Sequence, residues 1–353
     1  KPIVEFKNIT KSYPGVIANK NISFSIEPNS IHAILGENGA GKSTLVKILY
    51  GHVNQDQGNI YIDSKNVKIT SPSVAKKLGI NMVFQHFSLF ESLTVAENLI
   101  LGIDKKLSMS ELIEKSQSIS SKYGFNLNLN SPISSLSVGQ RQSVEIVRSL
   151  LNDPKILILD EPTSVLTPDE IKNLFKIISN LVQDNLTVIF ISHKLEEIIN
   201  LSNRVTILRG GEVVDTLITK NENPDSLGLK MLGYKIAKLK RNKVEDNSKV
   251  LFSLNNVSTF NQDPFSVNLK NINFSLKTGQ ILGIAGVAGN GQNELMEIFL
   301  NENNNYFKGD VIFKNQNINQ LLTQDRKRLS ISYVTEQRLG HSAVPEMSLT
   351  ENV

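Results

Sequence analysis

Short runs of apolar residues, each bounded by polar or glycine-rich segments, recur along the first half of the chain. The runs at 30–36, 155–160 and 187–192 are typical of strands buried on both faces of a sheet. A helical spacing of apolar residues begins at Lys42. A second helix is predicted from Thr167, a capping residue followed by a proline and two acidic residues. Strands that alternate with helices predict an α/β fold with a mostly parallel sheet.

The pattern returns 250 residues later along the chain. Residues 21–49 align with residues 271–299 without a gap, with 11 identities in 29 positions. Two shorter matches follow in the same order, "GNIYI" with "GDVIF" and "INMVFQH" with "ISYVTEQ". We therefore predict a duplicated domain with the same order of elements, whose second copy is incomplete. The predicted parts are a first domain at 1–235, a linker at 236–250 and part of a second domain at 251–353.

Composition and charge are those of an ordinary globular protein. A chain of 353 residues can form two domains with their own cores, and the absence of cysteine excludes disulfides and thiolate metal sites. The sequence contains no apolar run of about 18 residues and no signal peptide. The basic stretch 235–243 lies in the polar tract 221–250, which we interpret mostly as connector, with a nucleic-acid or lipid patch as the alternative. Since the chain starts at Lys1 and stops at Val353 within "SLTENV", we expect a fragment.

The segment from Gly36 to Ser43, "GENGAGKS", fits the phosphate-binding pattern G-x-x-x-x-G-K-[ST]. Its glycines allow backbone N–H groups to turn inward around phosphate oxygens, and the following helix adds partial positive charge. In this pattern Lys42 reaches the β- and γ-phosphates, and Ser43 offers a hydroxyl to Mg²⁺. A buried strand before the segment and a helix after it favour a nucleotide site over an empty turn.

Two acidic residues, Asp160 and Glu161, stand at the end of a predicted buried strand. A carboxylate there is unfavourable unless a cation or hydrogen bonds meet it, and Mg²⁺ would meet Asp160. Glu161 has the chemistry to orient and deprotonate a water that attacks the γ-phosphate. His193 and Gln85 are weak signals taken singly, because such residues after strands are most often structural.

The segment "LSVGQRQSVEI" at 136–146 places Ser137 and Gly139 before a predicted helix, which favours a second anion-binding helix terminus. The order of the phosphate loop, Gln85, this segment, the acidic pair and His193 resembles the ATP-binding cassette (ABC) ATPases. The resemblance covers essentially the whole chain. It implies an α/β P-loop NTPase of the ABC ATPase fold, tandemly duplicated with an incomplete second copy, that binds and hydrolyses ATP with Mg²⁺.

The same resemblance implies a role for each motif residue. Adenine is expected to stack on Tyr13, and Glu161 is expected to act as the catalytic base. The 136–146 segment is expected to cap a nucleotide that an opposing domain holds. The implied catalytic residues are Glu161, His193, Lys42 and Gln85. The implied nucleotide-binding residues are Tyr13, Gly36, Glu37, Asn38, Gly39, Ala40, Gly41, Lys42, Ser43, Thr44, Ser137, Gly139 and Gln140. The implied Mg²⁺ ligands are Ser43, Gln85 and Asp160.

Two departures from the family pattern narrow the resemblance. Thr167 stands where the family often has Asp, and "TSVLTPDE" is similar to fused two-cassette import ATPases for ribose, galactose and nucleosides. The segments "MVFQHFSLFESLTVAENLILG" and "LSVGQRQSVEIVRSLL" resemble the nucleoside type most closely. In the second copy Gln292 and Asn293 replace the lysine and serine, and Glu336 stands at the position of Gln85. Losing one such electrostatic contact typically costs roughly 100- to 1000-fold in rate. We therefore expect the second phosphate loop to bind nucleotide weakly or without turnover.

The resemblance also implies partners and location. It predicts two integral-membrane permease subunits, an indirect solute-binding lipoprotein or periplasmic protein, no nucleic acid, and a peripheral position on the cytoplasmic face of the plasma (inner) membrane. In tandem proteins each ATP lies between the phosphate loop of one cassette and the LSxGQ of the other. The intact first site would therefore need the missing second-cassette half or a second copy to close. Residues 86–97 are the candidate permease surface, with Phe87, Leu89 and Phe90 either exposed anchors or core.

Two other classes of ABC protein are weaker alternatives. A soluble tandem protein acting on ribosomes usually has two intact ATP sites and a long charged linker, and this chain has neither. An ABC-type DNA-repair ATPase carries long coiled coils between its motifs, and this sequence shows no sustained heptads.

Overall fold

The computed structural model describes residues 1–85, 87–103, 108–234, 249–260, 267–286, 289–301, 307–334 and 343–352. The chain divides into two compact units, Lys1–Lys238 and Leu239–Val353. Within these described ranges, no helix is both long and apolar enough to cross a lipid bilayer.

Unit 1 contains ten strands and eight α-helices among its described residues. The strands are β1 Val4–Tyr13, β2 Val16–Ile26, β3 Ile31–Leu35, β4 Gln57–Ile62, β5 Lys65–Val67, β6 Ile80–Val83, β7 Ile156–Asp160, β8 Thr187–Ser192, β9 Arg204–Arg209 and β10 Glu212–Ile218. The helices are α1 Lys42–Leu49, α2 Pro72–Lys77, α3 Val95–Leu101, α4 Met109–Tyr123, α5 Val138–Leu150, α6 Pro168–Gln183, α7 Leu195–Leu201 and α8 Pro224–Leu232.

The predicted buried strands form the centre of a six-stranded sheet in the order β10-β9-β3-β8-β7-β6. All neighbouring pairs are parallel except β10 with β9. Successive side chains of β3 enter different cores, since Ala33 and Leu35 pack with one cluster and Ile34 with the other. The carboxyl ends of parallel neighbours meet at one edge of a sheet. The segments that follow β3, β6, β7 and β8 are therefore brought to the same edge.

A second, antiparallel sheet in the order β2-β1-β4-β5 was not predicted from the sequence. Its inward residues, such as Phe6 and Phe24, pack with α1 in the same cluster as one face of the parallel sheet. The strands are rich in Asn, Lys and Ser on the exposed face, so their apolar signal is weaker than that of the central strands. This sheet covers the side of the molecule on which α1 lies.

The interpretation of tract 221–250 as mostly connector needs a correction at its start, because α8 lies within it. Asn223 caps the helix with its side chain, Pro224 occupies the first turn and Gly233 ends the helix in the left-handed region. These are strong local signals for a nine-residue helix. The basic stretch 235–243 lies outside the described residues.

Unit 2 repeats the antiparallel sheet. Its described strands are β11 Val250–Thr259, β12 Ile272–Lys277, β13 Phe307–Phe313 and β14 Gln316–Asn317, and its helices are α9 Gln292–Leu300, α10 Thr323–Arg328 and α11 Leu349–Asn352. The sheet order β12-β11-β13-β14 corresponds strand by strand to the order β2-β1-β4-β5 in unit 1. A small apolar core including Leu254, Val257 and Ile298 lies beneath it.

The expectation of the same order of elements in both copies is wrong at one central position. Residues 281–286 correspond to β3 but form no strand, and Ile281 is 96% exposed. In unit 1, β3 is paired on one side by β8 and on the other by β9. No described strand of unit 2 takes those places, so the backbone of 281–286 lacks ladder partners there.

Candidate active site

The phosphate loop joins β3 to α1 in a tight turn whose glycines are required by geometry. Gly41 caps α1 in the left-handed region with φ 98°, and Gly39 has φ 83°. A Cβ on Gly36 would lie 2.5 Å from the carbonyl oxygen of Leu208. Glu37, Asn38 and Gly39 are exposed, whereas Ala40 is buried, so the loop presents one open face.

Lys42 is almost fully buried inside this loop. Its Nζ donates to the carbonyl oxygens of Gly36 at 2.8 Å and Glu37 at 3.0 Å. Burial lowers the pKa of Lys42, while the nearby charges of Glu161 and Asp160 raise it. The ammonium group is thus held by loop carbonyls and lies within the electrostatic influence of two carboxylates. Ser43 and Thr44, half-buried, follow it in the first turn of α1.

Asp160 is the last residue of β7 and is 5% exposed. Burial raises the pKa of Asp160 to about 6, with a further increase from Glu161, while Lys47 and Lys42 act in the opposite direction. Its Oδ1 is buried and has no hydrogen-bond partner among the described residues. Such an orphaned carboxylate oxygen suits a hard cation, so the residues present fit a Mg²⁺ ion. The described residues contain no cluster of three His, Cys, Asp or Glu side chains that could hold a metal ion.

Glu161 joins two residues that were weak signals in the sequence. Its Oε2 accepts a hydrogen bond from Gln85 Nε2 at 3.3 Å, and its Oε1 lies 3.1 Å from His193 Nδ1. The backbone of Glu161 has φ 47°, a conformation uncommon for a residue with a side chain, and its N–H donates to Ile191 O at 3.0 Å. The end of β8 therefore anchors the backbone of Glu161, while Gln85 and His193 contact its carboxylate.

A buried polar network behind Glu161 and His193 was missed by sequence reasoning. Glu197 Oε2 accepts from Thr163 Oγ1 at 2.7 Å and from Ser192 Oγ at 2.8 Å. Lys194 Nζ lies 3.0 Å from Glu197 Oε1. These bonds join the turn after β7 to the turn after β8, which carry Glu161 and His193. The available signal was Glu197 itself, an acidic residue close to His193 in sequence that lies buried on the inner side of α7.

The 136–146 segment begins α5, with one correction to its predicted form. Ser137 is the N-cap and forms a capping box with Gln140, so the helix starts at once and Gly139 lies inside its first turn. A Cβ on Gly139 would lie 2.2 Å from Glu170 Oε1. In the part of the chain that the structure describes, no hydrogen bond joins Ser137, Gly139 or Gln140 to the phosphate loop.

The remaining predicted residues lie in two exposed places. Tyr13 ends β1, is 40% exposed and has Lys11 Nζ 5.6 Å from its ring centroid. In the candidate permease surface Phe90 is 60% exposed, whereas Leu89 packs against the core and Phe87 is half-buried. Phe90 is therefore exposed, as expected of an anchor, whereas Leu89 belongs to the core side of that surface. His86 lies outside the described residues.

The phosphate loop of unit 2 keeps the turn but not the charge. Gly291 caps α9 with φ 98°, and Gly289 has φ 84°. Gln292 occupies the lysine position, and its Oε1 accepts from the backbone N–H of Asn290 at 3.2 Å. Residues 287, 288 and 336 lie outside the described residues, so the position of Glu336 is not described.

A family model described as ABC transporter matches residues 19–164 and 269–352 of the chain. The chain belongs to the ABC transporter family. The prediction of an ABC ATPase fold and of an ABC-type ATPase is thereby confirmed. The two matched stretches are those in which the sequence repeats, and each contains one phosphate loop.

The relatives of this ABC ATPase are import subunits. It is 37% identical to the guanosine import ATP-binding protein NupO of Bacillus subtilis, over 99% of this chain and 69% of that protein. It is 34% identical to the ribose import ATP-binding protein RbsA of Clostridium tetani, over 100% of this chain and 70% of that protein. The nucleoside import ATP-binding protein NupA of Lactococcus lactis is 33% identical, over 99% of this chain and 70% of that protein.

Solved structures agree on the fold of the cassette. A nucleotide-free ATP-binding cassette from an ABC transporter superposes with a TM-score of 0.60 and 25% identity, over 66% of this chain and 98% of that one. The cbiO1 protein of Clostridium perfringens, part of the ABC transporter complex cbiONQ, superposes with a TM-score of 0.57 and 29% identity, over 62% of this chain and 90% of that one.

Proposed function

We propose that this chain is the ATP-hydrolysing subunit of an importer, and that its first cassette carries the working site. The observation that carries the proposal is the convergence of Lys42, Asp160 and Glu161 at one edge of the parallel sheet, with Gln85 and His193 both on the Glu161 carboxylate. A buried cation near two carboxylates, beside an open glycine turn, fits the hydrolysis of a nucleoside triphosphate.

Nucleotide binding begins at the phosphate loop. Backbone N–H groups from Gly36 to Thr44 and the first turn of α1 would hold the phosphates, and exposed Tyr13 would stack on adenine. Lys42 would exchange its bonds to the Gly36 and Glu37 carbonyls for bonds to the β- and γ-phosphates. The lysine is thus held near its working position before nucleotide arrives.

Ser43, Gln85 and Asp160 would hold Mg²⁺. The ion would supply charge neutralisation between the phosphates of the bound nucleotide. The buried, unpaired Oδ1 of Asp160 is the feature of the described residues that favours this ligand set. Gln85 would then leave its present bond to Glu161, which frees that carboxylate to accept a proton from water.

Glu161 would act as the general base toward the attacking water. His193 holds the same carboxylate at 3.1 Å and would contact the γ-phosphate from its exposed edge. The left-handed backbone at Glu161 and the Glu197 network keep both side chains on one edge. Ser137, Gly139 and Gln140 would act on a nucleotide held by another cassette.

Import and its partners are proposed from the relatives. The identity to guanosine and nucleoside import proteins favours a nucleoside, and a simple sugar such as ribose is the other solute class. Two permease subunits would dock on the segment after Gln85, where Phe90 is exposed. A solute-binding protein would act indirectly, and the chain would lie peripherally on the cytoplasmic face of the membrane.

ATP turnover by this chain, measured against protein concentration beside a Glu161→Gln control, tests the catalytic proposal. We expect Mg-ATP turnover that rises with the square of concentration and disappears in the control, because two copies would lend each other the 136–146 segment. Turnover that persists in Glu161→Gln contradicts the assignment of the base. Absence of ATP binding contradicts the proposed function altogether.

Uptake of labelled solute by cells that carry the transporter tests the solute class. We expect guanosine uptake to stop in a Glu161→Gln strain and ribose uptake to continue. Loss of ribose uptake with continued guanosine uptake would assign the transporter to sugars. If both uptakes continue in the Glu161→Gln strain, import of both solute classes is refuted.

A further inference from the structure

Asn19 is a buried polar residue next to the phosphate loop that belongs to none of the predicted site motifs. It lies in β2 with no exposed surface, and its Nδ2 donates to the carbonyl oxygen of Gly41 at 3.1 Å. Gly41 is the last loop residue before α1, and its carbonyl also accepts the first helical bond from Leu45 N at 3.0 Å. The Asn19 amide thus adds a second bond at the point where the loop becomes helix.

A hydrogen bond to this carbonyl fixes more than one atom. The peptide unit is planar and trans, so the Gly41 carbonyl and the Lys42 N–H point in opposite directions. Holding the carbonyl toward β2 therefore directs the Lys42 N–H away from β2. The preceding carbonyl, of Ala40, is held in a similar way by Gly211 N at 3.3 Å. The last two peptides of the loop are thereby oriented from outside.

The amide of Asn19 carries a cost that folding alone does not explain. Its Oδ1 is buried and has no hydrogen-bond partner among the described residues. A buried unsatisfied polar atom typically costs about 1–3 kcal/mol. An apolar side chain of similar size would avoid this cost and fill the same space.

Unit 2 shows that the turn forms without the amide. Leu269 stands 250 positions after Asn19, and its Cδ2 lies 2.6 Å from where a Cβ on Gly291 would be. Asn19 Nδ2 lies at the same 2.6 Å from the Cβ position of Gly41. Gly41 and Gly291 have the same φ of 98°. Leu269 therefore lies next to the loop of unit 2, which has no lysine, and Asn19 lies next to the loop of unit 1, which contains Lys42.

We propose that Asn19 is a positioning residue for nucleotide binding, which acts by orienting the Gly41–Lys42 peptide so that the Lys42 N–H faces the bound phosphates. The inference rests on the proposed function of the first phosphate loop and adds to it a residue outside the loop. In this proposal the glycines set the shape of the loop, and Asn19 sets the direction of the Lys42 N–H.

The test compares Asn19→Leu and Asn19→Asp with a matched control, Asn81→Leu. Asn19→Leu installs the residue of unit 2 and removes the donor, and Asn19→Asp keeps the shape and replaces the amide by a carboxyl group, which donates only when it is protonated. Asn81 Nδ2 donates to Ser149 O at 3.1 Å and is 3% exposed, so its loss removes an equivalent buried bond away from the loop. The measurements are the Kd of MgADP, by calorimetric titration, and the melting temperature, with KM and kcat for MgATP turnover.

We expect both Asn19 variants to bind MgADP roughly five- to tenfold more weakly, the effect of one lost hydrogen bond, with KM raised by a similar factor and kcat within about twofold. Asn81→Leu should lower the melting temperature and leave Kd unchanged. An unchanged Kd in a folded Asn19→Leu variant overturns the proposal, as does an equal loss of affinity in Asn81→Leu. If the unsubstituted protein binds no MgADP, the proposed function itself fails, a result distinct from any difference between variants.

Discussion

The two phosphate loops of this chain have nearly the same backbone and different chemistry. The glycine pairs have φ values of 83° and 98° in unit 1 and 84° and 98° in unit 2. At the lysine position Lys42 binds two loop carbonyls in unit 1, whereas Gln292 accepts a loop N–H in unit 2. The turn is therefore a property of the glycines, and the charge inside it is a separate one.

The surroundings of the loops differ in the same direction. Thr44, in the first turn of α1, corresponds to Glu294 in the first turn of α9, whose Oε1 accepts from Val267 N at 2.8 Å. A carboxylate at a helix N-terminus interacts with the partial positive charge that would otherwise favour a phosphate. Unit 2 thus lacks the lysine and also carries a carboxylate in the first turn of the helix that follows its loop.

The largest expected effect distinguishes the two loops by charge. Lys42→Gln gives unit 1 the residue of unit 2 and should lower ATP turnover roughly 100- to 1000-fold, since one positive contact to the phosphates is lost. Gln292→Ala should leave turnover within about threefold, because its loop carries no charge to lose. Steady-state turnover of the full-length protein provides the measurement. If Gln292→Ala abolishes turnover while Lys42→Gln retains it, the assignment of the working site is wrong.

The second prediction tests whether the two turns tolerate side chains equally. A Cβ on Gly41 would meet the Ala18 carbonyl oxygen at 2.2 Å, whereas on Gly291 it would meet the flexible end of Leu269 at 2.6 Å. Both variants place alanine at positive φ, which costs roughly 1–2 kcal/mol. Gly41→Ala should lower the free energy of unfolding of unit 1 by about 3 kcal/mol or more, because the backbone at Ala18 must also move. Hydrogen exchange of each unit measures the loss, and a larger loss for Gly291→Ala would contradict the explanation.

The smallest expected effect concerns the strand that leads into the loop. Burial, with a smaller contribution from Arg204, lowers the pKa of His32 in β3 to about 3 from 6.5. The unfolded chain therefore binds a proton below pH 6.5 that the folded chain does not, so stability falls as pH decreases through this window. At about pH 5 the loss due to His32 is about 2 kcal/mol.

The counterpart of His32 in unit 2 is Leu282, so His32→Leu is the matched variant. Its free energy of unfolding should change less between neutral pH and about pH 5 than that of the parent protein. Urea unfolding at the two pH values provides the measurement. The same acid sensitivity in both proteins would assign the loss to other groups. His32→Leu also removes the bond of His32 Nε2 to Thr206 Oγ1 at 2.8 Å, which lowers stability at both pH values and leaves the difference intact.

Local patterns were sufficient for the motifs and the central strands. The phosphate loop, the Asp160–Glu161 pair and the α6 start at Thr167 were predicted because each is specified by neighbouring residues. The antiparallel sheet was missed because its strands have a weaker apolar signal. The prediction of a strand at 281–286 was wrong, because a buried strand needs neighbouring strands as hydrogen-bond partners, and its own sequence does not supply them.

The sequence by itself determined the loop, its lysine and the repeat, because glycine spacing, charge and apolar runs act over a few residues. Only the tertiary structure decided that Gln85 and His193 meet on Glu161, since parallel pairing of β6, β7 and β8 brings together residues up to 108 positions apart. It also decided that Asn19 lies under Gly41, from a strand 22 positions earlier. These contacts depend on which strand ends are neighbours, and that is set by packing across the whole sheet.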